Sequence, residues 1–163
     1  MASMSNVLRM ALEASKELPL RPVVRVVIKK QGNICLCKKI VNGVHVAWLI
    51  PGGGVEDGDT YEETAQKEAL EEVGMKLKHI EAMGIQYGGK HHFDDPKRAA
   101  RWSGSETSFY KAEYAGEDRR HFDTEGDAMN YVWVSPKEAI RLIETGPKGS
   151  FNAVLIGVIE KML

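Results

Sequence analysis

Apolar and polar positions change rhythm several times along this chain. Val7, Leu8, Ala11, Leu12 and Ala14 lie loosely on one side of a helix over residues 6–18, ended by Pro19 and Pro22. The β-branched, apolar runs "VVRVVIKK" and "NICLCKKI" follow, separated by "QGN", which is a hairpin signal. "VHVAWLI" reads as a third strand closed by Pro51, with Trp48 expected in the core. Beyond an acidic segment, "KLKHIEAMGIQYG" resumes strand character, residues 89–106 show no clear period, and "TSFYKAEY" and "NYVWV" read as further strands. "SPKEAIRLIE" opens a helix with Ser135 as N-cap and Pro136 at the first helical position. From about residue 150, Phe151, Val154, Leu155, Val158, Ile159 and Met162 form the stripe of an amphipathic helix packed on a sheet. With no internal repeat and no low-complexity linker, the pattern predicts a layered α/β or α+β sandwich.

Composition narrows this further. A chain of 163 residues, 43% of them hydrophobic, suits one folded domain. A net charge of -1 excludes a global field drawing the chain to nucleic acid or membrane, while leaving room for a local basic patch. No apolar run approaches membrane-spanning length, and the N-terminus lacks the continuous apolar core of a signal peptide, so a soluble, cytoplasmic protein is expected. Cys35 and Cys37 stand at alternate positions of one strand, pointing the same way but too far apart for a disulfide. Buried free thiols are expected, with a metal role as the alternative.

The candidate chemistry sits in "LIPGGGVEDGDTYEETAQKEALEEVGM", residues 49–75. Thr60 with Glu63 three residues later is a capping-box pattern, and Gly74 suits the left-handed turn past a helix end. At ~100° per residue, Glu68, Glu71 and Glu72 share an arc of about 100° beside the apolar arc of Ala65, Ala69 and Val73. Like charges at these spacings repel, and they lie in the half of the helix whose dipole disfavours anions. A hard divalent cation reverses that balance, because Mg²⁺ takes carboxylate oxygens and keeps water and substrate phosphates as other ligands. The plain alternative is a solvated acidic face partnered by Lys67 and Lys76. Gly52, Gly53 and Gly54 in front of the helix favour the first reading, because their backbone can turn sharply and approach a metal or phosphate closely. No "GK[ST]" follows, so this is not a P-loop.

These residues resemble the Nudix box, G-x5-E-x7-R-E-U-x-E-E-x-G-U, with U an aliphatic residue. Gly53 takes the first place, Asp59 the first acid and Lys67 the arginine, followed in register by Glu68, Ala69, Glu71, Glu72, Gly74 and Met75. Asp59 is one methylene shorter than the family's glutamate, and Lys67 lacks the planar fork of arginine. The resemblance implies a Nudix-type α/β/α sandwich with a mixed central sheet over residues 22–163, behind an N-terminal helical extension of residues 1–21. It implies Mg²⁺-dependent hydrolysis of a pyrophosphate bond in a nucleoside diphosphate-X or nucleoside triphosphate, with Mn²⁺ as a substitute metal. Glu68, Glu72 and the Gly52 carbonyl are the implied metal ligands, with Glu71 a ligand or base and Lys67 orienting Glu71 or another acid. The family often carries its general base on a later loop, where Glu125 is the first choice among His121, Asp123, Glu125 and Asp127. The implied partner is a small-molecule nucleotide, with neither nucleic acid nor membrane. A homodimer is one option, although no interface is legible.

Residues 89–106 are long for a connection in a compact domain, and long connections are often functional. Lys90, His92, Arg98 and Arg101 are candidate phosphate binders, Trp102 is a candidate stacking ring, and Gly53 and Gly54 are candidate substrate contacts. An ordinary surface loop is the alternative. A different class of reading, a Nudix-fold binding or sensor domain with weakened catalysis, draws on Lys67 and Asp59 and has the complete glutamate set against it.

Overall fold

The computed structural model describes residues 3–16, 18–122 and 129–163. Its central element is β1 (Leu20–Lys30), which the hairpin turn joins to β2 (Asn33–Val41). Gln31 and Gly32 both have positive φ, 49° and 80°, as the tightest hairpin turns require. β3 (Val44–Leu49) and the short β4 (Gly52–Gly54) precede α2 (Tyr61–Val73) and a long β5 (Met75–Lys90). Then come α3 (Pro96–Arg101), β6 (Gly104–Glu117), β7 (Asn130–Val134), α4 (Pro136–Glu144) and α5 (Ser150–Glu160). The N-terminal helix α1 covers Met4–Lys16, and Met4, Val7, Leu8 and Met10 on it are exposed.

The sheet runs in the order β3-β2-β1-β6-β5, with β4 on β1 and β7 on β2. β1 and β6 are parallel, and the other pairs are antiparallel, so the sheet is mixed as expected. Alternation along the strands builds two cores. Val24, Val26, Ile28, Cys35 and Cys37 face Ala65, Ala69 and Val73 of α2. Val27, Ile34 and Leu36 face Ala139 and Ile143 of α4 and Leu155, Val158 and Ile159 of α5. One helix on one face and two on the other make the α/β/α sandwich. Both cysteines are buried and free, and Cys37 is held well above the usual thiol pKa by its hydrogen bond with Cys35 and by burial. Trp48 packs partly buried against the second core. Among the described residues no helix is long and apolar enough to cross a membrane.

Three details depart from the sequence reading. β1 begins at Leu20, so Leu20 and Arg21 belong to the sheet and not to an N-terminal extension. The glycine stretch is a strand, paired antiparallel to β1 with Val23 opposite Gly54 and Arg25 opposite Gly52. β2 meets β1 only at Lys29 and Lys30, which leaves the near half of β1's edge open for β4. Most of residues 89–106 is also ordered: β5 extends to Lys90, β6 starts at Gly104, and α3 between them is capped by Asp95 with Pro96 in its first turn. Glycines at the facing ends hid the strand rhythm there. A Cβ on Gly104 would overlap the backbone of Gly89, so the two strands meet where side chains do not fit.

Candidate active site

The acidic helix is fixed in register at both ends. Thr60 accepts from the Glu63 N–H at 3.0 Å, and Glu63 accepts from the Thr60 N–H at 3.3 Å, closing the capping box. Gly74 ends the helix in the left-handed conformation, φ 64°. Ala65, Ala69 and Val73 are buried against the sheet, which turns the edge carrying Glu68, Glu71 and Glu72 towards β4. Glu72, 6% exposed, is the one buried carboxylate among the described residues. Its Oε1 accepts the Gly52 N–H at 2.8 Å, a bond that a buried carboxylate needs.

The three glycines of β4 are there for close approach and not for turning, since none of them has a positive φ. A Cβ on Gly53 would overlap the Glu68 carboxylate. On the opposite face, a Cβ on Gly54 would overlap the Arg21 guanidinium, and one on Gly52 would overlap the Val24 carbonyl and the Arg25 side chain. β4 is therefore a single backbone layer, bare of side chains, between the acids of α2 and the arginines of β1.

A cavity of about 810 Å³ opens here. Gly52, Gly53, Gly54, Glu68, Glu71 and Glu72 line it together with Glu56, Asp57, Arg21, Lys97, Arg98, Arg101 and Trp102. Burial lowers the Arg21 pKa, the like charge of Arg98 lowers it further, and Glu68 acts in the opposite sense. Two guanidiniums that repel each other and line one cavity, Arg98 with Asp95 3.8 Å away, make a place for an anion. Arg101 lies over the Trp102 ring at 4.5 Å and pairs with Asp57 at 2.6 Å. A second cavity of about 710 Å³ adjoins the first and shares Arg21, Gly53 and Arg98 with it. Lys39, Lys90, Tyr87, Phe93 and Phe151 also line it, and no carboxylate does among the described residues.

Most of the expected residues meet in these cavities. Glu68, Glu71, Glu72, Gly52, Gly53, Gly54, Arg98, Arg101 and Trp102 line the first, and Lys90 lines the second. His92 lines neither and lies 3.6 Å from Asp94 on the surface. The Lys67 Nζ bonds Glu56 at 2.9 Å, which raises its pKa, and the charge of Glu71 on the acid edge acts in the same sense. Glu125, with Asp123 and Asp127, lies outside the described residues. Because the Lys67 head group is spent on an exposed acid, Lys67→Arg is expected to leave kcat unchanged or raise it, as measured by steady-state kinetics. A large loss would mean that Lys67 has a role of its own.

The sequence reading missed Arg21, Arg25 and Lys39. Arg25 carried the one available signal, a charged residue inside an otherwise apolar strand. Its Nη1 donates to the Ile50 carbonyl at 2.9 Å, and its Cζ lies 5.4 Å from the Phe151 ring centroid. Among the described residues no group of three or more His, Cys, Asp or Glu side chains is placed to hold a metal ion by itself. The donors present are nonetheless hard oxygens, suited to Mg²⁺ held by one or two carboxylates with phosphates and water completing its shell.

Comparison with known proteins identifies the family and the fold. A family profile described as NUDIX domain matches residues 19–154. A protein of Novosphingobium aromaticivorans named RNA pyrophosphohydrolase is 26% identical over 141 residues, covering 80% of this chain and 87% of its own. Among solved structures, a NUDIX hydrolase from Nitrosomonas europaea superposes with a TM-score of 0.64 at 18% identity, over 87% of this chain and 89% of its own. A MutT protein from Bacillus halodurans superposes with a TM-score of 0.62 at 22% identity, over 86% and 82%. At these identities the two superpositions speak for the fold alone.

Proposed function

The chain belongs to the Nudix family of pyrophosphohydrolases, and from that premise we propose that it hydrolyses a pyrophosphate bond in a nucleotide with the help of Mg²⁺. One observation carries the reading: an acid edge, anchored by Glu72 to the Gly52 N–H, shares one cavity with Arg21, Arg98 and Arg101. The substrate is a nucleoside diphosphate linked to a further group, or a nucleoside triphosphate. Arg21 and Arg98 hold its phosphates where their own repulsion is relieved, and Trp102 offers a stacking face.

Glu68, Glu72 and the Gly52 carbonyl would hold the metal, with Mn²⁺ as a substitute. When bound, it neutralises charge on the phosphoryl oxygens and makes the attacking water more acidic. That water adds to one phosphorus of the diphosphate, and the bond from this phosphorus to the bridging oxygen breaks. The water's proton passes to Glu71 or to Glu125, which lies outside the described residues. Glu71 lines the cavity and is only partly exposed, which suits a group that either ligates or accepts a proton.

A second reading places the nucleotide at the 5′ end of an RNA chain. The name of the Novosphingobium relative favours it, as does the second cavity, whose lining among the described residues holds cations and no carboxylate. This reading would extend the expected partners from small nucleotides to nucleic-acid ends. One panel separates the possibilities: nucleoside triphosphates, ADP-ribose, nucleotide sugars and a 5′-triphosphorylated oligoribonucleotide, each with Mg²⁺, the products resolved by chromatography. Turnover of at least one is expected, and the products identify the phosphorus attacked. Binding without product from any of them would overturn the enzymatic reading in favour of a nucleotide sensor.

A further inference from the structure

Arg25 is a half-buried cation on the wall of the second cavity, and the chemistry above leaves it without a task of its own. It sits at the middle of β1 opposite Gly52, and its Cγ would be overlapped by a Cβ on Gly52. The Gly52 N–H, on the same residue, donates to Glu72 at 2.8 Å. Arg25 and Glu72 are thus held by one bare peptide layer, the arginine tied by Nη1 to the Ile50 carbonyl two residues before Gly52. Phe151 lies beneath the guanidinium. Lys67, which the box pattern assigns to the acids, is bonded to Glu56 instead.

We propose that Arg25 is a positioning residue for the acid edge: fixed under the glycine strand, it is the standing counter-charge of Glu72 and takes the place of a divalent cation while none is bound. The inference rests on the reading of Glu68 and Glu72 as metal-holding acids. Burial lowers the Arg25 pKa, and the charge of Glu72 acts most strongly in the opposite direction, ahead of Cys37 and Glu68. A guanidinium suits this post because it stays charged when buried and its planar fork can serve a carbonyl on one side while its field reaches the acids on the other. The glycines make the arrangement possible, since any side chain on β4 would push the two charges apart.

A counter-charge and a metal ion compete for the same anions, so removing Arg25 has opposite effects on the two states. Arg25→Met is expected to lower the melting temperature of the metal-free protein and to enlarge the rise produced by Mg²⁺ or Mn²⁺. Calorimetry should show the metal Kd falling about three- to tenfold. Arg25→Lys keeps the charge and loses the fork, and should restore most of the wild-type metal response even where its stability stays low. A merely structural arginine would shift the melting curve equally with and without metal, and lysine would not rescue it.

A denaturation cycle with Arg25→Met, Glu72→Gln and the double variant, all without metal, tests the pairing itself. Non-additive losses support the inference. Additive losses overturn it, whatever the metal does. If Arg25→Met does not fold, the same cycle runs on Arg25→Lys and Arg25→Gln, and equal coupling of both to Glu72→Gln would overturn the charge argument. Coupling accompanied by an unchanged metal response would remove the metal-substitute part. A wild-type protein that takes up neither ion would overturn the metal reading under the proposed function, while the metal-free cycle still decides whether Arg25 answers Glu72.

Discussion

Glu72→Gln is expected to lower kcat by at least about tenfold, or about 1.4 kcal/mol of transition-state stabilisation, while the protein stays folded. Glutamine has the volume of glutamate and keeps a carbonyl oxygen, so it can still accept the Gly52 N–H that Glu72 accepts at 2.8 Å. What it lacks is the negative charge, the property for which a metal–phosphate site would use this residue. The side chain is buried, so water cannot make up the loss. Steady-state kinetics alongside a melting curve separates the two effects. Near-normal turnover in a well-folded variant would show that Glu72 serves only to hold β4.

Gly53→Ala is expected to cut kcat/KM by at least about tenfold and to raise several-fold the Mg²⁺ concentration giving half-maximal rate. The fold should survive. Gly53 has no positive φ, so alanine is not strained there. The added methyl meets the end of the Glu68 side chain, which can swing away. The damage then falls on the position of Glu68 and not on the strand. Gly52→Ala is the contrasting variant, because its methyl meets the Val24 carbonyl and the root of Arg25. There the backbone pair must shift, and a stability loss of about 1–3 kcal/mol is expected. Melting curves and metal titrations of both variants test the contrast. A Gly53→Ala enzyme with full activity and unshifted metal dependence would exclude Glu68 as a metal ligand.

What the sequence made legible was local. The capping box of Thr60 and Glu63, the Gly74 stop and the spacing of Glu68, Glu71 and Glu72 are all set within one helix, and the structure repeats them. The apolar stripe of α5 and the "QGN" hairpin were legible for the same reason. What it hid depends on distant partners. β4 is a strand only because β2 leaves β1 after Lys29 and Lys30, a register no local pattern reveals. Arg21 looked like the tail of an N-terminal extension until β1 began at Leu20 and brought it beside Gly54. Lys67 has a long, flexible stem with acids on several sides, and periodicity around the helix does not show that Glu56, eleven residues earlier, takes it.

The parallel ladder of β1 and β6 sets an order of events. Leu20 lies against Gly104 and Lys29 against Glu113, so each rung closes a chain loop of more than eighty residues. Such pairings are slow to form, because the entropy of closing the loop is spent before the contact returns anything. Arg21, Arg25 and the backbone against which β4 docks all ride on that strand. The helix with its acids can form early on its own caps, but the bare peptide layer and the cations behind it arrive only with the late, long-range step. A half-folded chain therefore carries the carboxylates without the surroundings that make them selective, and refolding should regain helical signal before it regains nucleotide turnover.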